Sequence, residues 1–250
     1  RGAIARLENA PGHRYQSATD ASMSAWGGSG IGGDRNTTVS YYEKGPSLGI
    51  VLDLAIRHHS GNRKSLDDVM RALYRKYYQE RKRGFTDTEF RRECEAAAGG
   101  DLSEVFEYAA TSKDIDYPKY FAYAGLDIDV TPRDASGVFL GLNTQTREGK
   151  LVVSGVAADS PAQRAGLAAG DVVLEVDGQK ATAAKALQDI LAARQPTDRI
   201  RLRITRQGEA REMEAVLEKN VARSYSIRPI PDPTPQQTAI LKDWLRAVGT

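Results

Sequence analysis

The sequence predicts an α+β protein of more than one domain: a helical first half, a small β-rich domain carrying helices, and a terminal helix. Three observations lead there. Apolar residues recur at helical spacing through the first 125 residues, the pattern switches to period two from Leu126, and prolines alternate at 229, 231, 233 and 235 before a last amphipathic stretch. The expected domains are 1–125, 126–219 and 220–250.

The helical elements follow in order. Arg1 to Leu7 has neither an initiator Met nor a signal-peptide layout and reads as the inside of a helix, so the chain is expected to begin partway through a larger protein. Pro46, just after Gly45, is placed in a helix's first turn. Leu48, Val51, Leu52, Ala55 and Ile56 then recur at helical spacing, and Ile50 and Leu54 widen the apolar face, so this helix is expected to be buried on most sides. Gly61 ends it. Ser65 with Asp68, and Thr86 with Glu89, form capping boxes that open two more helices. Gly99-Gly100 closes the second, and Asp101 caps a short helix through Leu102, Val105 and Phe106.

From Leu126 the texture is that of strands. Leu151-Val152-Val153, Val172 to Val176, and Ile200, Leu202 and Ile204 alternating with arginines all read as strands. One helix, over 182–194, carries Leu187, Ile190 and Leu191. The alternating prolines predict an extended, polyproline-like linker. After it, Ala239, Ile240, Trp244 and Leu245 mark a helix whose apolar face is expected to dock on the chain's own helical domain.

Composition excludes some classes. A net charge of +2 selects neither nucleic acid nor an anionic membrane. Cys94 is the single cysteine, so no internal disulfide forms. No apolar run approaches the roughly 20 residues of a membrane span.

The most specific motif runs from Ser160 to Gly178, S-P-A-Q-R-A-G-L-A-A-G-D-V-V-L-E-V-D-G. A short helical turn ends at Gly166, Leu167 enters the core, Gly170-Asp171 leads into a strand, and Asp177-Gly178 makes the next tight turn. This stretch resembles the core signature of PDZ domains, small β-barrels or sandwiches with helices. The resemblance implies a groove in which a peptide's C-terminus adds as a strand, its carboxylate held by backbone N–H groups. The matching carboxylate loop is Phe139, Leu140, Gly141 and Leu142, with Leu187 and Leu191 as pocket wall. Two alternatives stand beside this. Leu187 and Leu191 can face the core, and the groove can brace a catalytic domain without taking an outside peptide.

A second motif, Tyr41-Tyr42-Glu43-Lys44-Gly45, precedes the long apolar helix. Pro11-Gly12-His13-Arg14, Gln16-Ser17-Ala18, Ala21-Ser22 to Ala25-Trp26, Ser65 to Val69 and Gly84-Phe85-Thr86 accompany it. Together with the order of helical segment, PDZ-like domain and proline-rich tail, these resemble the C-terminal part of the glycyl aminopeptidase family, thermolysin-related zinc enzymes. The resemblance implies a helical remnant of a thermolysin-like catalytic unit. It implies removal of small N-terminal residues, Gly or Ala, by the parent protein, and a periplasmic or exported bacterial location. It gives Tyr42 the role of donor to the oxyanion, with Tyr41 in its place if the register shifts by one. The implied partners are a peptide substrate or C-terminal peptide tails and an N-terminal catalytic half.

The zinc site is not expected in this chain. H-E-x-x-H puts two imidazoles on one helix face, whereas His58 and His59 are adjacent and point about 100° apart on a helix. They read as a solvated helix end suited to a cationic imidazole. Zinc therefore belongs to the parent protein, no cofactor is expected here, and the segment alone is expected to be inactive.

Three further patterns are set aside. Gly28 to Gly33 fits G-x-G-x-x-G without the flanking strand and helix that a dinucleotide site needs. Ser29 lacks the second glycine of a nucleophile elbow. The basic run Arg71 to Arg92 is interrupted by acids and reads as a solvated face, without nucleic acid as partner. The functions in competition are thus a zinc aminopeptidase part and a non-catalytic PDZ peptide-binding scaffold. A regulatory piece of a PDZ-bearing serine protease comes last, since no Ser/His/Asp arrangement is evident.

Overall fold

A computed structural model describes residues 2–26, 37–223 and 225–247. The Gly28 to Gly33 pattern and Ser29 lie outside the described residues. The chain divides into two compact units, residues 1–131 with 224–250, and 132–223.

The first unit is built around helix α3 (Tyr41–His59), preceded by α1 (Gly2–Glu8) and α2 (Ala18–Trp26). Helices α4 (Leu66–Leu73), α5 (Asp87–Ala98), α6 (Ser103–Ala110) and α7 (Tyr117–Ala122) follow it. All six of these neighbours pack on α3, whose Val51, Leu54, Ala55 and Ile56 are fully buried, as its wide apolar face requires. The capping boxes at Ser65/Asp68 and Thr86/Glu89 both form. Gly61 and Gly99 take positive φ just past their helices, where a side chain would be strained.

Helix α3 begins earlier than the sequence predicts. Ser40 caps it, its carbonyl accepting from the N–H groups of Glu43 and Lys44 at 2.9 and 3.0 Å. Tyr41 and Tyr42 therefore lie in the first turn, and Pro46 is inside the helix. Proline is tolerated there because only the Tyr42 carbonyl loses its donor, near the helix end.

The domain boundaries also differ from 126–219 and 220–250. Strand β1 (Leu126–Asp129) pairs antiparallel with a strand at Ser226–Pro229, and this ribbon belongs to the helical unit. Leu126 and Ile128 point into the helical core. The period-two pattern marked the strand correctly but did not name its partner. For the same reason the segment read as a polyproline linker begins as a strand, and Ile230 N–H extends the pairing to Gly125 O at 3.0 Å.

The terminal helix α10 (Pro235–Ala247) docks on the helical unit as expected. Ile240 is fully buried, and Trp244 meets Phe121 edge-on at 6.2 Å. Leu241 completes the docking face, while Ala239 and Leu245 point to solvent.

The second unit has two antiparallel sheets. Strands β2 (Pro132–Phe139) and β9 (Glu218–Arg223) form one. The other has the order β3 (Leu142–Arg147), β4 (Lys150–Val156), β5 (Val172–Val176), β7 (Arg199–Arg206), β8 (Glu209–Val216), with β6 (Gln179–Lys180) beside β5. Helix α8 (Pro161–Arg164) packs near β8, and α9 (Ala184–Ala192) lies against β2 and β3. Strand β3 is an edge strand.

One ion pair secures this unit. Asp171 is buried; its carboxylate accepts from Ala168 N–H at 2.9 Å and from Arg206 Nε and Nη2 at 2.6 and 2.8 Å. Burial alone would raise its pKa, but the Arg206 and Ala168 hydrogen bonds outweigh this and hold it below the usual carboxylate range. A depressed folded pKa gives stability that is present above the unfolded value and is lost as pH falls through the folded one. Arg206→Met is therefore expected to lower stability at neutral pH, because it leaves the buried Asp171 carboxylate without its cation. The deficit should shrink below pH ~4, where Asp171 protonates in the unfolded chain. Denaturant melts of both proteins across this range check it, and a pH-independent deficit would contradict the pairing.

Candidate functional site

The turn between β2 and β3 has a directional hydrogen-bond pattern. The Leu140 carbonyl accepts from Ala162 N–H at 2.9 Å and the Gly141 carbonyl from Ala157 N–H at 2.8 Å. Both carbonyls thus point into the unit. Among the described residues, the N–H groups of Leu140 and Gly141 have no partner. Gly141 adopts φ +83°, and a Cβ there would lie 2.2 Å from Ser160 Cβ. Glycine is required on both counts. Ser160 is itself fixed, because it is wholly buried, donates from Oγ to Ala157 O at 2.7 Å and accepts from Gln163 N–H at 3.2 Å. The signature motif therefore shapes the loop it does not belong to.

Beside this turn runs a groove of about 280 Å³, and all six residues expected to bind peptide line it: Phe139, Leu140, Gly141, Leu142, Leu187 and Leu191. Leu187 is buried in the core and forms the groove floor at once, and Leu191 is half-buried against that core. The two alternatives for these leucines are thus one arrangement. The groove also takes in Asn143, Thr144, Gln188 and Asn220, which sequence reasoning missed. Asn220 comes from β9, beyond the expected domain boundary, and no sequence signal marks it. An unpaired strand edge, two free N–H groups and an apolar pocket are what an added peptide strand with a terminal carboxylate needs.

In the helical unit, Tyr42 is 77% exposed at the start of α3. Tyr41 is half-buried against Leu7, Ala21 and Val39, and its ring lies 4.3 Å from that of Tyr42. Hydrogen bonding with Tyr42, aided by burial, raises the pKa of the Tyr41 hydroxyl. Of the two, Tyr42 is the hydroxyl open to a ligand. Lys44, one turn away, is buried and donates to Thr111 O at 2.9 Å. Burial lowers its pKa, while Glu8 and Asp114 oppose that.

His58 and His59 do not make a metal pair. His58 stacks on Tyr123 with ring centroids 3.8 Å apart and planes 4° from parallel, and His59 turns 74° away from it. Burial, and then the neighbouring His59, lower the His58 pKa, so the expected cationic helix end is corrected: this imidazole favours its neutral form. Among the described residues one group of potential ligands converges, Glu8, His13 and Asp114. His13 Nε2 lies 3.8 Å from Glu8 and 3.4 Å from Asp114, while its Nδ1 meets Ala10 O at 2.6 Å. Tyr117 donates to Glu8 at 3.1 Å, and Lys44 supplies the positive charge these carboxylates face. Neither group is the two-imidazole helix face of the zinc motif, so the histidines here do not fit that site.

The fold and groove define a PDZ domain joined to a helical unit, and comparison with known proteins agrees. Residues 138–217 match the PDZ domain family. Over 83 residues the chain is 29% identical to the serine endoprotease DegS of Haemophilus influenzae, which is 33% of this chain and 24% of that protein. Over 62 residues it is 40% identical to a probable periplasmic DegP-like serine endoprotease of Halomonas elongata, 25% of this chain and 13% of that one. The chain therefore spans a quarter or less of these curated relatives. Among solved structures, an aminopeptidase N family protein from Idiomarina loihiensis superposes with a TM-score of 0.79 at 22% identity, covering 95% of this chain and 42% of that one. At that identity the likeness establishes the fold. Among the described residues, no helix is long and apolar enough to cross a membrane.

Proposed function

We propose that the PDZ domain captures peptides by their C-termini, within a chain that forms part of a larger peptidase. The observation that carries this is the pair of unpartnered N–H groups at Leu140 and Gly141, beside the apolar groove under β3. A carboxylate would accept from them, the peptide backbone would extend the sheet at β3, and its last side chain would sit between Leu140, Leu187 and Leu191. Calorimetry with heptapeptides ending in Val, Leu or Phe tests this. Binding with a free C-terminus, weakened about tenfold or more by C-terminal amidation, is expected, a loss of about 1.4 kcal/mol. No heat at millimolar peptide, with the domain folded, would leave the groove a structural brace.

A second reading concerns the helical unit. The likeness of nearly the whole chain to an aminopeptidase N family fold supports a thermolysin-related zinc aminopeptidase as the parent, acting on small N-terminal residues. In that parent, the glycyl aminopeptidase resemblance assigns Tyr42 the oxyanion, and its exposure on the first turn of α3 suits a donor that reaches into a cleft. The zinc and its general base would come from outside these residues. In the parent enzyme, Tyr42→Phe should lower kcat about 100-fold, equivalent to roughly 3 kcal/mol of barrier, as for loss of one oxyanion donor. Zinc content should stay unchanged. An unaltered kcat would remove Tyr42 from the chemistry, and the same substitution at Tyr41 would then test the neighbouring register.

A further inference from the structure

The helical unit holds a second groove, of about 650 Å³, that neither reading uses. It follows α4, where the helix widens into a π-helical segment at Tyr74–Glu80. Such segments are rare and cost hydrogen-bond geometry, so they recur where a helix must present particular side chains. Here the segment presents Tyr74 and Tyr78, stacked with centroids 5.0 Å apart. Met70 and Leu73 from α4 and Phe85 from the following loop complete the apolar walls. Met70, Tyr74, Tyr78 and Phe85 are between 47% and 63% exposed, a concentration of apolar surface well beyond a single stray side chain.

The charged residues that line this groove are Lys82 and Arg83, both cations. Between residues 69 and 86 there are six cations, Arg71, Arg75, Lys76, Arg81, Lys82 and Arg83, against one acid, Glu80. Four of the six are already used. Arg71 pairs with Asp68 at 3.7 Å, Lys76 with Glu93, and Arg81 and Arg83 with Glu89 at 3.6 and 2.7 Å. Arg81 and Arg83 also cover the face of the buried Tyr77 ring. Among the described residues, Arg75 and Lys82 have no ion-pair partner. Lys82 lines the groove, and Arg75 lies on the exposed turn between Tyr74 and Tyr78.

We propose that this groove binds an acidic peptide segment, with an apolar or aromatic side chain seated between Met70, Tyr74, Tyr78 and Phe85 and flanking carboxylates on Lys82 and Arg75. The division of charge favours peptide over nucleic acid. A phosphate backbone is held by a track of free cations, whereas two unpaired cations beside an aliphatic and aromatic wall match an apolar anchor with a few carboxylates. Methionine and stacked tyrosines suit such an anchor, because they adapt their surface without requiring one fixed shape.

The test is calorimetry on the whole chain with acetyl-Asp-Glu-Leu-Phe-Glu-Asp-amide. Its blocked C-terminus cannot use the carboxylate loop of the PDZ domain. The proposal expects binding that falls about tenfold or more in the Lys82→Glu/Arg75→Glu protein, about 1.4 kcal/mol. It expects a similar loss when the Leu-Phe pair of the peptide is replaced by Ser-Ser. The reversed protein should in turn prefer the peptide with lysines in place of its acids. Thermal melts establish that the variants are folded, and Lys82→Gln/Arg75→Gln replaces the reversal if it is not. No binding at millimolar peptide overturns the proposal. So does binding indifferent to charge reversal, or tighter binding of an oligothymidylate or of anionic vesicles than of the acidic peptide.

Discussion

The turn at Leu140 and Gly141 can face only one way, and the binding chemistry of the β-rich unit rests on that. Its two carbonyls are held inward by Ala162 and Ala157, so the Gly141 N–H, which shares a planar trans peptide with the Leu140 carbonyl, is turned the opposite way, and among the described residues the Leu140 N–H has no partner. The constraint is set by Ser160, whose side chain occupies the space a Cβ at residue 141 would need. Ser160 is positioned by capping α8. The chain then passes through Leu167 in the core to Asp171, which Arg206 ties to β7. Backbone donors fixed this way need no rearrangement to meet a carboxylate, and preorganisation of that kind reduces the cost of binding.

The helical unit depends on a different constraint. Helix α3 is surrounded, so its buried middle has room for packing only, and its chemistry is confined to its ends. At the N-terminal end, Tyr42 is exposed while Tyr41 and Lys44 turn inward to neighbours. The C-terminal end is closed by other contacts. His58 stacks on Tyr123, and its carbonyl accepts from Gln236 of α10 at 2.8 Å. Asn62, just beyond the helix, donates to Asp243 at 2.7 Å. The terminal helix thereby engages the His58 backbone carbonyl and the Asn62 side chain at this end of α3.

Much of this was legible in the chain because it depends on near neighbours. The capping boxes form where Ser65 and Asp68, and Thr86 and Glu89, stand three apart. The glycines that end α3 and α5 are found at the positions that need positive φ. The six groove residues could be named because the signature motif resembles that of PDZ domains, and the resemblance implies which loop and which facing helix line the groove. Asn220 could not, since it reaches the groove from a strand far along the chain.

What the sequence by itself determined is the kind of its main elements and the multidomain α+β character, which follow from periodicity, capping and turn chemistry over short stretches, while the PDZ domain was read from the resemblance carried by the Ser160 to Gly178 motif. Only the tertiary structure decided pairing. Leu126 to Asp129 alternates as a strand with either partner, but its apolar side chains are buried in the helical core, and that sends the ribbon with Ser226–Pro229 to the helical unit. Tertiary packing likewise favours the neutral form of His58 by burial, and among the described residues it leaves Arg75 and Lys82 without the acids that their neighbours found. Periodicity records which face of an element is apolar, while burial and pairing depend on what that face meets.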